Sequence, residues 1–141
     1  MKINLERTND NYLFKATNDN GHSILMDNKS KEEGVVEGVS PMETLLMGLA
    51  GCSSIDIISI LNKQKLNPKV LKMEVEGFRK AGAVPALFHT ITVLIYLEGD
   101  LPSEKVKRAA KLSFDKYCSV SKTLETSATI SHKIILNGRP I

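Results

Sequence analysis

SPMETLLMGLAGCSSIDIISILN, residues 40–62, is the most apolar run in the chain. Three helix-start signals open it. Ser40 can cap the first turn, Pro41 takes the first helical position where its missing N–H costs nothing, and Glu43 completes a Ser-x-x-Glu capping box. From Leu45 to Leu61 the apolar side chains point all round the helix and not along one stripe, the pattern of a helix covered on every side. Two polar groups interrupt that surface. Cys52 and Asp56 lie four residues apart, one turn from each other on one face, and Gly48 precedes the thiol by a further turn. Glu43 comes nine residues before Cys52, about half a turn out of phase, so it reads as a cap and not as a partner of the thiol.

On the N-terminal side of this helix, residues 2–8 (KINLERT) and 12–18 (YLFKATN) read as strands joined through Asn9-Asp10-Asn11. Asp19-Asn20-Gly21 is a hairpin signal leading to a third strand over residues 22–27. Residues 28–39 are polar and hold two glycines, so they read as a loop in which Glu32 and Glu33 are solvated. On the C-terminal side, the helix fades at residues 63–65 and Pro68 closes it. Residues 70–79 and 88–97 alternate as the strands of an antiparallel hairpin around a loop with Gly82 and Pro85. Ser103 is expected to cap a second helix over 104–117, whose narrow face of Val106, Ala109, Ala110 and Ser113 suits close packing on another helix. After a break at 119–121, a short helix runs to Glu125, and residues 126–137 form a last strand ended by Gly138. The order β-β-β-α-β-β-α-β predicts an α+β fold, and 141 residues predict one domain. A domain of this size cannot by itself surround an all-round apolar helix, so a homodimer is expected to complete the cover.

The net charge of +3 is small, lysines are scattered, aromatics are few and tryptophan is absent, which gives no footprint for nucleic acid. The N-terminus lacks the apolar core of a signal peptide, and Ser53, Ser54, Asp56 and Ser59 break the long helix too often for a membrane span. The expected location is the cytoplasm, where two cysteines are more often free thiols or a working pair than a structural disulfide. His22, His89, His132 and two distant cysteines show no metal-ligand spacing, and no phosphate loop, nucleophile elbow or dinucleotide motif is present. No metal or cofactor is therefore expected.

Cys52 and Cys118 meet only if the fold brings them together. Either can be a small buried hydrophobe. Around Cys118, Lys116, Lys122 and a helix start at Ser119 would lower a thiol pKa where they converge. Cys52 lies mid-helix and gains nothing from a helix end. It needs a cation from elsewhere to ionise, and Asp56 opposes that ionisation unless it is itself paired.

The run SPMETLLMGLAGCSSIDIISIL, the later thiol in KYCSVSKTLE, the preceding GHSILMD and the closing strand together resemble the superfamily of osmotically inducible protein C and organic hydroperoxide resistance proteins. The match extends over nearly the whole chain and is nearest to the redox-protein branch that shares SPME and GCSSID. The resemblance implies an intertwined homodimer, with central buried helices between antiparallel sheets and two sites at the subunit interface. It also implies that the thiol at Cys52 attacks a hydroperoxide and becomes a sulfenic acid, that Cys118 condenses with it to a disulfide, and that a dithiol such as a dihydrolipoyl group reduces the pair.

The sequence departs from the hydroperoxide-resistance branch at the start of the helix. That branch has Pro-Glu, and its glutamate fixes an arginine from the N-terminal strands over the reactive thiol. Here the matching position is Met42, and the only cations on the early strands apart from Lys2 are Arg7 and Lys15. A lysine does not reproduce a bidentate guanidinium. Arg79, on the strand after the helix, is the cation assigned to face Cys52 instead. Three readings follow. The first is a thiol-dependent peroxidase acting on organic hydroperoxides through Cys52, Cys118, Asp56 and Arg79. The second is a binding or redox-sensing protein with little peroxidase activity, holding an apolar small molecule at the dimer interface. The third is a structural pair of buried thiols.

Overall fold

The computed structural model describes residues 1–28 and 35–141, so Glu32, Glu33 and part of the expected loop lie outside the described residues. The chain divides into two compact units, Met1–Leu45 and Leu46–Ile141.

The first unit is an antiparallel meander of β1 (Ile3–Arg7), β2 (Phe14–Asn18) and β3 (Ser23–Met26). Asn18 builds the β2–β3 turn: its Oδ1 accepts from the N–H groups of Asn20 and His22, and Gly21 adopts φ +82°. Beyond β3 the carboxylate of Asp27 is buried and accepts from the N–H groups of Asn28, at 2.7 Å, and Glu37, at 2.9 Å. A parallel bridge then joins Val39 to Met26. Gly38 is required in that approach, because a Cβ there would stand 2.7 Å from the backbone of Leu25. Helix α1 (Pro41–Asn62) starts within this unit with the expected capping box in both directions. The N–H of Glu43 donates to Ser40 Oγ at 3.2 Å, and the N–H of Ser40 donates to Glu43 Oε2 at 2.9 Å. Glu43 is a cap, as its phase relative to Cys52 requires.

The second unit holds the rest of α1 and a sheet of four strands in the order β4 (Val70–Arg79), β5 (Phe88–Glu98), β6 (Thr129–Leu136) and β7 (Arg139–Pro140). Between β5 and β6 come α2 (Ser103–Leu112), a wide π-helical turn over Ser113–Tyr117, and α3 (Ser119–Leu124). Strand β5 carries the core: Ile91, Val93, Ile95 and Leu97 are all buried on one face. Phe88 joins that face because the register slips at Phe78/Arg79, pairing Phe78 with Thr90 and Arg79 with Phe88 and leaving His89 as the extra residue of a bulge. The Phe88 ring fills the place where a Cβ on Gly77 would be, 2.5 Å from it.

The β4–β5 hairpin is antiparallel as expected, but β6 runs parallel to β5, so the sheet is mixed. The helical segment after β5 carries the chain back to the end where that strand began, and a return of that kind delivers the next strand parallel. Strand β7 was not expected. It follows a two-residue turn in which Asn137 and Gly138 both take positive φ, +50° and +77°, the conformation that Asn-Gly favours. Helix α2 begins at Ser103 itself, with Pro102 at the cap position and no side-chain cap bond, so Ser103 does not cap it. Its small-residue face, Val106, Ala109 and Ala110, is buried as expected.

Within α1 the buried residues are Leu49, Ser53, Ile57 and Leu61, one residue per turn on a single stripe. Ser53 keeps its hydroxyl satisfied by donating to the carbonyl of Leu49 at 2.7 Å and lies 3.4 Å from Met73 Sδ on β4. On other faces Met47 and Ile55 are exposed, at 53% and 68%. The all-round apolar pattern is thus covered on one side within a single chain. By length and composition alone α1 is apolar enough to cross a bilayer, a test that the core helices of soluble proteins also pass.

Candidate functional site

The site lies where α1, the π turn and α3 come together. Cys52 and Asp56 project from one face of α1 because they are one helical turn apart. Cys118 is fully buried between the π turn and α3. The π turn sets its position. The N–H of Cys118 donates to the carbonyl of Ser113, five residues back, at 2.8 Å, which is the wide ring that defines a π turn. The buried hydroxyl of Ser113 lies 3.3 Å from both the carbonyl of Ser53 and Oδ2 of Asp56, and donates toward them. One residue therefore holds the backbone of Cys118 with its carbonyl and the carboxylate of Asp56 with its side chain. At the N-cap of α3, Cys118 Sγ accepts from the N–H of Ser121 at 3.3 Å. The result is that the sulfurs of Cys52 and Cys118 and a carboxylate oxygen of Asp56 all lie within 4.8 Å of one another.

The two thiols differ in access. Cys52 is half-buried and Cys118 is inaccessible, and no disulfide joins them. Burial pushes the Cys118 thiol up to about 12; the adjacent Cys52 and the charge of Asp56 push the same way, and only the Ser121 N–H opposes them. The lowering expected from Lys116 and Lys122 does not prevail. Lys122 pairs with Glu125 at 3.0 Å, and the ammonium of Lys116 sits 5.4 Å from the ring centre of Tyr117. The helix start contributes its N–H, but desolvation outweighs it.

Arg79 lies at the exposed end of β4 and donates from Nε to the carbonyl of Ala86 at 2.7 Å. Among the described residues, no cation figures in the charge environment of Cys118. On the meander, Arg7 pairs in register with Phe14, and Lys15 with Glu6. A cavity of about 400 Å³ opens beside Asp56, with Ile60, Leu112 and Tyr117 supplying apolar surface and Lys63 and Arg108 supplying positive charge. The residues that the sequence did not assign to the site are Ser113, read there only as part of a packing face, and Ser121. Neither carries a motif, and both act through a turn that no spacing announces. Sequence spacing pointed to no metal, yet the fold gathers three donors of metal-binding type in Cys52, Asp56 and Cys118.

His132, on β6, stacks on Phe114 of the π turn with ring centres 4.7 Å apart and planes 12° from parallel. Burial lowers its pKa, with Asp115 opposing. Because the folded pKa lies below the unfolded value of about 6.5, the unfolded chain takes up this proton first as pH falls. Stability from this residue is then present above about pH 6.5 and lost below it. Urea unfolding at pH 7.5 and pH 5.5 is expected to show a drop in stability in the native chain and a smaller drop in His132→Gln.

A family model described as OsmC-like protein matches residues 31–133 of this chain. Protein YhfA of Escherichia coli strain K12 is 38% identical over 120 residues, which are 84% of this chain and 86% of the relative. The crystal structure of a hypothetical protein from Aquifex aeolicus VF5 superposes with a TM-score of 0.80 at 27% identity, over 96% of both chains. An organic hydroperoxide resistance protein OsmC from Legionella pneumophila, described as a predicted redox protein, shares the fold with a TM-score of 0.71 at 13% identity, over 95% of this chain and 96% of that one. Two thiols brought together by the helix at residues 41–62 and the turn after α2, within a match that spans most of the sequence, make this chain a member of the OsmC-like protein family.

Proposed function

We propose that this protein reduces organic hydroperoxides with Cys52 as the attacking thiol and Cys118 as the resolving thiol. The observation that carries the reading is the pair of sulfurs within 4.8 Å, one accessible and one buried. Access assigns the roles. The Cys52 thiolate attacks the distal oxygen of RO–OH; the O–O bond breaks, RO⁻ leaves and takes a proton to become the alcohol, and Cys52 becomes a sulfenic acid. The Cys118 sulfur then attacks the Cys52 sulfur. The S–O bond breaks, the hydroxyl leaves with the Cys118 proton as water, and a disulfide forms. A small dithiol returns the pair to thiols and is itself oxidised to a disulfide. The exposed apolar residues Met47 and Ile55 support a second copy of the chain as partner. Free thiols fit a cytoplasmic location, and no nucleic acid or membrane enters the reading.

A second reading is favoured by Asp56, whose carboxylate lies beside both sulfurs and whose charge helps hold the Cys118 thiol protonated. In that reading the protein is a redox sensor or a carrier of an apolar small molecule with little peroxidase activity. Stopped-flow oxidation of the reduced protein by cumene hydroperoxide and by hydrogen peroxide separates the two. Fast loss of two thiols, formation of one intramolecular disulfide and preference for the organic oxidant support the peroxidase. Oxidation no faster than that of free cysteine, without preference, discards it for the second reading.

A further inference from the structure

We infer that Cys52, Asp56 and Cys118 form a binding site for a thiophilic divalent cation, with Zn²⁺ as the expected physiological ion. Three observations carry this inference, and none depends on peroxidase activity.

The first is the shape of the donor set. Two thiols and a carboxylate oxygen lie within 4.8 Å of one another. By triangle geometry, some point then lies within about 2.8 Å of all three atoms, against about 2.3 Å for zinc–sulfur and about 2.0–2.2 Å for zinc–oxygen bonds. Closing on an ion asks each donor to move by less than about 1 Å, within reach of small side-chain rotations.

The second is how the donors are held. Cys52 and Asp56 stand at i and i+4 on one helix, a spacing that directs two side chains at one ion, as in helical zinc motifs. Cys118 enters from the N-cap of α3. Behind the donors, Ser113 donates to Asp56 Oδ2 at 3.3 Å, and the Ser121 N–H donates to Cys118 Sγ at 3.3 Å. These are the outer hydrogen bonds that orient metal ligands and favour their anionic forms.

The third is the charge balance. Asp56 places a carboxylate oxygen within 4.8 Å of both sulfurs. Beside a divalent cation the same carboxylate becomes a ligand, and two thiolates with one carboxylate leave a net charge of about −1 around Zn²⁺. Two sulfur donors select Zn²⁺ over Mg²⁺ and Ca²⁺, and three protein ligands leave a fourth tetrahedral position for water or a small anion. The ion and the disulfide exclude each other, because both use the same two sulfurs. Bound zinc would shield the thiols from oxidation, and oxidation would release the ion.

The test uses Co²⁺ as a spectroscopic probe and Zn²⁺ in competition with a chromophoric chelator, both on the intact reduced protein. The expected result is one equivalent of Co²⁺ giving thiolate-to-metal charge transfer and intense tetrahedral d–d bands, displaced by Zn²⁺. Binding is expected to be lost after diamide closes the disulfide. Asp56→Asn is expected to weaken Zn²⁺ at least about tenfold, and Cys118→Ser to remove the charge-transfer pattern of two thiolates. A native protein without the thiolate band, or one that binds equally well when oxidised, overturns the site. Asp56→Asn with unchanged affinity overturns the three-donor set. The native-protein spectrum needs no variant, so misfolding of a mutant leaves the test intact. Failure of peroxidase turnover would leave the metal result standing, and the reverse also holds.

Discussion

Cys52→Ser is expected to cut hydroperoxide consumption at least about a hundredfold, to the level of protein with no accessible thiol. Cys118 cannot take over. It is fully buried, and burial pushes its thiol pKa up to about 12, so the protonated form prevails at pH 7. Cys118→Ser has a different signature. The first step survives, so one equivalent of hydroperoxide is consumed quickly, a sulfenic acid accumulates for dimedone to trap, and turnover with a dithiol collapses. The pH dependence follows from the raised thiol. Where disulfide closure runs through the Cys118 thiolate, its rate is expected to rise about tenfold per pH unit while pH stays below 12. Single-turnover mass spectrometry from pH 6 to pH 9 checks the slope. A flat profile would mean that Cys118 ionises far more easily in the oxidised intermediate or that it is not the resolving group.

Ile57→Ala is expected to destabilise the fold by about 2–5 kcal/mol, a large share of a typical domain stability of about 5–15 kcal/mol. Ile57 is completely buried on the one covered stripe of α1, with Leu49, Ser53 and Leu61. Removing its outer carbons leaves a hole that a helix pinned by Ser53 and Ser113 cannot close by sliding. Ile55, two residues earlier and 68% exposed, supplies the contrast. Ile55→Ala is expected to cost less than about 1 kcal/mol if the chain works alone. If a second copy covers that face, the cost rises and depends on protein concentration. Urea unfolding of both variants at two concentrations reads the two cases.

What the sequence revealed and what it concealed divide along physical lines. The start of α1 was legible because Ser40, Pro41 and Glu43 act locally, and all three stand where the capping box needs them. Strand β5 was legible because its alternation continues through a β-branched centre. Which side of α1 stays covered was not legible, since a helix apolar all round carries no phase. The parallel β5–β6 pair was hidden because pairing direction depends on where a connection ends, not on the residues in the strands. Asn137-Gly138 did carry a hairpin signal, but the strand after it has only two residues, too few to show alternation. In the site, Cys52 and Asp56 were legible as one helical face. The approach of Cys118, 66 positions later in the sequence, was implied by family resemblance alone. Ser113 was legible as part of a packing face, and it is buried against α1; its part in the site was not, because that arises from a backbone ring that no side-chain pattern encodes.

That wide ring makes chain length a determinant of where Cys118 sits. Between Ser113 and Tyr117 the backbone spends one residue more than an α-helix would to join the same two ends. Deleting a single residue there would let an ordinary α turn join the same two ends and narrow the ring that carries Cys118. Both cysteines would survive in such a chain, with a different separation between their sulfurs. A one-residue deletion in this segment is therefore expected to slow disulfide closure while both thiols stay in the chain, a change that single-turnover mass spectrometry would read.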